Sequence, residues 1–403
     1  MPYNAQQIPM DQSTVDAAVL EAVKTFLSRP STTRRAKDGL LRFLNADPPR
    51  SQVASILPMD EMEVRLERIE QVRKRAEEEQ QNGEPFQFTI LQLATLLVMP
   101  MDSLRDILQP TWPMPMSVYL TAGLFLSIMT KGRPLLGDSI GGAPPASGAS
   151  KGSTTKSIPR NATQRQKCLQ RDSRSCILTK AAYPEVCHII PFALNASVTS
   201  LEYVAACVPL ASALLGRDAS TWFHRQVGTA VGSSDKPWNM LSLSPTLHAW
   251  WGKALFGIKC LGITPHDDKT SEVKLQFHWM PSHSHKPRDC ITPPYQGFIQ
   301  ELRDSQALGN PADVEIITDV RRDSLRELES GQTFEVLVDK DDAKNMKLAL
   351  DFQWAVVRLQ AISGAAGDWE SEYYNLDSGA AEAISHTEQV EEWLQGVAPS
   401  TTD

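Results

Sequence analysis

The stretch GGAPPASGASKGSTTKS, residues 141–157, most constrains what this chain can fold into. It holds no large apolar side chain, so it cannot bury enough surface to offset the entropy of ordering it. We read it as the centre of a flexible linker over residues 136–158. A chain of 403 residues is too long for one small core, and the linker divides it. A helical domain is expected over 1–135 and a mixed domain over 159–292. A C-terminal segment with a packing helix follows over 293–375, and then an acidic, loose tail over 376–403.

The N-terminal part reads as helical. Residues 15–30 and 33–45 carry helical spacing. The run DEMEVRLERIEQVRKRAEEEQQ, 60–81, sets Met62, Leu66, Ile69 and Ala76 along one stripe, with charges of both signs elsewhere. At about three heptads, a surface helix packed on one face is preferred to a coiled-coil contact with a partner. Residues 86–130 are apolar and Met-rich. Within them MSVYLTAGLFLSIM, 116–129, is too short for a bilayer span of about 20 residues and suits a buried helix. The N-terminus shows no basic region followed by an apolar run. The expected setting is therefore intracellular, nuclear or cytoplasmic, away from membranes, with the six scattered cysteines as reduced thiols. At the other end, FEVLV reads as a strand. Beyond it Met346, Leu350, Trp354, Val357 and Ala361 repeat at helical spacing, with Gly364 as a stop. The tail holds one short helical pattern near VEEWLQ.

Net charge is −8, which excludes a whole-chain basic footprint for nucleic acid. Such binding must rest on a local patch. The segment RNATQRQKCLQRDSRSC, 160–176, offers one: Arg160, Arg165, Lys167, Arg171 and Arg174 stand against a single Asp172. A solvated helix face explains the same residues nearly as well.

Chemistry concentrates between positions 188 and 285, which hold seven of the eight histidines. In SCILTKAAYPEVCHIIPF, 175–192, CILT and EVCHII read as two short strands of a hairpin, and His188 lies in the second. KPWNMLSL, 236–243, places Asn239 on the way into another apolar run. In SPTLHAWWGKALFGI, Ser244 is a good N-cap, Pro245 suits the first helical position, and Gly252 can end the helix. His248 then sits on a short helix. The order is hairpin with His, loop with Asn, helix with His.

That order resembles the HNH endonuclease family, whose motif is a ββα-metal finger. The words RDSRSCILTKAAYPEVCHIIPF and NMLSLSPTLHAWWGKALFGI are similar to the HNH modules of fungal proteins. The likeness is strong over 165–192 and 236–258, looser to about 290, and returns in QWAVVRLQAISGAA, 353–366. It implies an α+β protein with an HNH nuclease-like domain over 159–292, a mainly helical N-terminal domain and a helical C-terminal segment. The implied activity is hydrolysis of nucleic acid phosphodiester bonds, with DNA the expected substrate, using one divalent metal ion, Mg²⁺ or Zn²⁺. The resemblance makes His188 the general base, Asn239 the residue that orients it, and His248 a metal ligand. Arg165, Lys167, Arg171 and Arg174 are the expected nucleic-acid contacts. Imidazole suits the base because its pKa lies near neutrality, and the cation would neutralise charge on the phosphate and the departing oxygen.

One position departs from the pattern. The residue before the base commonly binds the metal, and here it is Cys187. Three arrangements stay open. Cys187 and His248 hold a zinc-like ion; or Glu185 or Asp235 replaces the missing ligand; or the site is inert. An inert thiol in the core explains Cys187 as well as ligation does. Cys176 lacks a second Cys nearby, so a structural four-cysteine zinc site is not supported. His278, His283, His285 and Cys290 match no closed metal spacing and read as a polar loop. His224 beside Trp222 and Phe223 reads as packing. The rival function is a catalytically inactive HNH-like scaffold that binds nucleic acid or protein, with the N-terminal helices as the surface for a protein partner.

Overall fold

A computed structural model describes residues 12–80, 85–108, 157–308 and 319–367. The expected helix at 116–129, nearly all of the linker, and the acidic tail with VEEWLQ lie outside these residues. The helices are α1 (Gln12–Ser28), α2 (Arg34–Asn45), α3 (Met62–Gln80), α4 (Ile90–Val98), α5 (Met101–Ile107), α6 (Ala162–Arg171), α7 (Val198–Leu215), α8 (Arg217–Phe223), α9 (Pro245–Gly252), α10 (Gln296–Leu308) and α11 (Lys340–Ile362). The strands are β1 (Phe88–Thr89), β2 (Glu185–His188), β3 (Met240–Leu243), β4 (Phe256–Pro265), β5 (Thr270–Trp279), β6 (Cys290–Ile291) and β7 (Thr333–Asp339). The chain is thus α+β, with every strand pair antiparallel.

Three small sheets organise the helices: β1–β6, β2–β3, and the meander β4–β5–β7. In β7, Phe334, Val336 and Val338 are buried while Glu335 and Leu337 face outward, the period of two that a half-buried strand requires. α11 packs on β4 and β5 and against α4. Its predicted stripe of Met346, Leu350, Trp354, Val357 and Ala361 is buried throughout. The helix ends where expected: Gly364 adopts φ +73°, and a Cβ there would collide with the carbonyl of His285. In α3, Met62, Ile69 and Ala76 are buried and Leu66 packs against them. One continuous hydrophobic core runs from Ile56 to Ala365, so elements from both sides of residues 109–156 share it.

The expected hairpin is corrected in its pairing. CILT forms a turn, not a strand: Cys176 N–H donates to Ala181 O, and Lys180 N–H donates to Cys176 O. Ser175 and Ala182 close this loop with one isolated bridge, and Lys180 and Tyr183 take left-handed backbone angles of φ 57° that no strand accommodates. The true partner of β2 is β3, in the register Glu185–Leu243, Val186–Ser242, Cys187–Leu241, His188–Met240. β3 is buried at all four positions, so the buried face of β2 finds apolar cover there. Strand propensity in CILT was real but tertiary packing overrode it.

Candidate active site

β2, β3 and α9 form a compact finger, with α6 against its outer face. Ser244 caps α9 as expected: its hydroxyl accepts from Leu247 N–H at 3.3 Å, and Pro245 occupies the first turn. This fixes His248 in the second half-turn, facing β2. His188 ends β2, and Asn239 ends the short turn that leads into β3.

Asn239 is fully buried and ties three backbone groups together. Its Oδ1 accepts from Ile190 N–H at 2.8 Å, and its Nδ2 donates to Ile190 O at 2.9 Å and to Ser234 O at 3.1 Å. Its own carbonyl accepts from Ile189 N–H. These bonds lock the residues just after His188 to the loop that carries Asp235.

His188 Nε2 lies 2.9 Å from Asp235 Oδ1, and both side chains are nearly covered, at 6% and 5% exposure. An ionised carboxylate only accepts, so Nε2 carries the proton and Nδ1 keeps a lone pair. Phe192 flanks the imidazole, with ring centroids 5.5 Å apart. Burial holds His188 below the ordinary histidine pKa, and the bond to Asp235 partly restores it. The ring is therefore neutral at neutral pH. Asp235, a candidate metal ligand in the sequence, is instead the partner of the imidazole.

His248 Nδ1 lies 2.7 Å from Glu185 Oε2, in a half-exposed pair. Holding Nδ1 this way leaves Nε2 available, the arrangement by which carboxylates orient metal-binding imidazoles. Cys187 does not join them. It borders the cleft but is 1% exposed, its Sγ turned toward Glu185 O within the main core. Burial pushes its thiol well above the ordinary range, whereas a metal ligand must be thiolate.

His188 and His248 line one cleft of about 250 Å³. Arg160 stands at its mouth, and its charge reaches His188. The opposite wall comes from α11, through Gln353, Val356 and Gln360. Among the described residues, no group of three or more His, Cys, Asp or Glu converges on an ion position, so Cys187, His188 and His248 do not form one. Because Glu185 Oε2 is bonded to Nδ1, the free Nε2 of His248 points away from that carboxylate, so the pair presents one imidazole nitrogen at a solvent-reached edge with Glu185 as its orienting partner. One such donor fits an open site completed by water and phosphate and not a closed cage.

The first turn of the chain's basic segment is exposed as expected. Arg165 and Lys167 project from α6, and Arg174 follows it on the surface. Arg171 turns its guanidinium inward, leaving its side chain 11% exposed. It holds both carboxylate oxygens of Asp172 at 2.7 and 3.0 Å and donates to the carbonyls of Pro237 and Met240. Asp172 in turn accepts from Ser242 N–H at 2.9 Å. This knot fastens α6 to β3.

The histidines at 278–285 serve separate ends. His278 is buried, 2.7 Å from Gln276 Oε1 and against Trp354. His283 Nε2 meets the carbonyls of Ala361 and Ile362, and His285 pairs with Glu301.

Residues 176–259, the turn, β2, β3, α9 and the start of β4, match the family model described as HNH endonuclease. This domain belongs to the HNH endonuclease family. Neither curated proteins nor solved structures gave a match to the chain. Members of that family are generally nucleases, and the HNH domain implies nucleic acid binding. No helix among the described residues is long and apolar enough to cross a membrane.

Sequence reasoning missed three features. It missed the pairing of Asp235 with His188, the inward turn of Arg171, and α11 as a wall of the cleft. For α11 there was a signal, since Gln353 and Gln360 interrupt an otherwise apolar helix face seven residues apart.

Proposed function

We propose that this protein is a metal-dependent endonuclease that hydrolyses phosphodiester bonds of nucleic acid in the cleft between α9 and α11. The observation that carries this reading is the His188–Asp235 pair, covered, neutral and fixed by Asn239 beside His248. His188 Nδ1 takes the proton from an attacking water while Asp235 keeps the ring in the Nε2–H tautomer and stabilises the imidazolium that results. Arg160 draws the phosphate toward the cleft mouth. His248 Nε2, oriented by Glu185 through Nδ1, would supply a ligand to the divalent cation, which would neutralise charge on the phosphate and leaving oxygen. With Cys187 buried as a thiol, the soft donor that singled out Zn²⁺ is removed, and we take Mg²⁺ or Mn²⁺ as the expected ion.

Nicking of supercoiled plasmid with Mg²⁺, Mn²⁺ and Zn²⁺ supplied in turn tests the assignment. Cleavage with Mg²⁺ or Mn²⁺, lost on chelation and in a Glu185→Gln, His248→Ala double variant, is the expected result. The competing reading is an inactive HNH scaffold that only binds nucleic acid, and it rests on the core position of Cys187. Binding without cleavage under every cation would select it.

A further inference from the structure

We infer that Asn195 is a positioning residue for the base: it holds the loop that carries Asp235, and through Asp235 it sets the tautomer of His188. That role rests on the nuclease reading, but none of the bonds involved belongs to α9 or α11.

The chain leaves β2 at His188, sets Phe192 against the imidazole, and closes a short 3-10 turn, Phe192–Asn195. Asn195, at the end of that turn, is fully buried. Its side chain meets the backbone of residues 233 and 234, just ahead of Asp235. A backbone N–H can only donate, so the amide atom that faces those groups is the oxygen. In that orientation Asn195 Oδ1 accepts from Ser234 N–H at 2.9 Å and from Ser233 N–H at 3.2 Å, and Nδ2 donates to Ser234 Oγ at 2.9 Å. The Asn195 carbonyl accepts from Gly232 N–H at 2.8 Å. Successive N–H groups of the loop, at 232, 233 and 234, therefore all end on one residue.

These bonds leave the loop little freedom. Ser233 Oγ also donates to Gln226 O at 2.6 Å, and Asn239 Nδ2 reaches Ser234 O from the other side at 3.1 Å. Ser234 is fully buried. The Asp235 carboxylate then spans two elements. Oδ1 meets His188 Nε2 at 2.9 Å, and Oδ2 accepts from the N–H of Asn161, the cap of α6. Asn239 fixes the backbone just after His188, and Asn195 fixes the backbone just before Asp235. Together they set both ends of the His188–Asp235 bond. A drift of about 1 Å at either end would open it beyond hydrogen-bonding reach. Released from Asp235, the ring can carry its proton on Nδ1, the atom that has to accept from water.

The test is a double-mutant cycle on the full-length protein: wild type, Asn195→Ala, Asp235→Asn and the double variant. One readout is single-turnover nicking of plasmid with Mg²⁺ or Mn²⁺. The other is ¹⁵N NMR of the histidine rings, which reports the His188 tautomer without any need for cleavage, the signal being assigned by its loss in His188→Ala. We expect Asn195→Ala to lower the nicking rate about 10–100-fold with plasmid affinity retained, and to shift His188 from the Nε2–H form toward a mixture. In the Asp235→Asn background the same substitution should change the rate by about twofold or less, because the residue it acts through is gone. A residue that only supports the fold would cost the same in both backgrounds. Should Asn195→Ala fail to fold, Ser234→Ala takes its place, since it removes only the hydroxyl bonded to the Asn195 amide. There a loss of about threefold is expected, the worth of one ordinary hydrogen bond, and it should vanish beside Asp235→Asn. No loss, an equal loss in both backgrounds, or an unchanged tautomer overturns the inference. Wild-type protein that nicks nothing, with the tautomer still shifted by Asn195→Ala, counts against the nuclease reading and leaves this one standing. Nicking that depends on His188 but not on Asn195 does the reverse.

Discussion

His188 is held by two opposing influences. Burial disfavours its charged form, and Asp235 at 2.9 Å favours it, with burial the larger. The neutral base therefore survives to lower pH than a free histidine near 6.5 would allow. In a pH–rate profile of kcat/KM, the acid limb should fall below that value, with rates flat through neutrality. Asp235→Asn removes the influence that raises the pKa, so the limb should move further toward acid while the rate at pH 7 drops as the tautomer is released. An acid limb above 6.5, or one unmoved by Asp235→Asn, would contradict the assignment. His278 gives a stability counterpart away from the site. Burial and the charge of Lys259 lower it to about 4, and its Nδ1 has no partner. The unfolded chain binds this proton near pH 6.5 and the folded chain does not. Its contribution is thus complete above pH 6.5 and is lost as pH falls toward 4, by up to about 3 kcal/mol. Urea melts at pH 7 and pH 4.5 should show this loss, and His278→Leu should flatten it.

At the level of elements, α6 separates two roles that the sequence presents as one basic patch. Arg171→Ala leaves the carboxylate of Asp172, 1% exposed, without its guanidinium. Stability should fall by about 3–5 kcal/mol in a denaturant titration. Arg165→Ala, at an exposed position, should change stability by about 0.5 kcal/mol or less and lower the salt dependence of nucleic acid binding by about one phosphate contact. Equal effects of the two substitutions would show that the knot does not hold α6. The contrast also shows what could be read in advance. The stripes of α3 and α11, the cap of α9, the strand at β7 and the stop at Gly364 were legible, because each rests on spacing within one segment. The trio of His188, Asn239 and His248 was legible as an order of residues. The partner of β2 was not, because β3 lies beyond α7 and α8, and pairing at that separation is decided by which strand offers a buried face. The inward turn of Arg171 was equally hidden, since its acceptors at Pro237 and Met240 come from that same distant segment.

Across the whole molecule, the HNH domain is built into a larger core. α11, far along the chain, supplies one wall of the cleft and packs on α4 from the N-terminal part. The residues around the domain therefore shape what reaches His188, and the activity should belong to the full chain more than to residues 176–259 by themselves. The central claim is that His188 is the proton acceptor of a working nuclease. Single-turnover cleavage of a labelled oligonucleotide by wild type and His188→Ala, with Mg²⁺ or Mn²⁺, measures it most directly. The account predicts a loss of about 10²–10⁴-fold in the rate with oligonucleotide affinity retained. A variant that cleaves at the wild-type rate would contradict it.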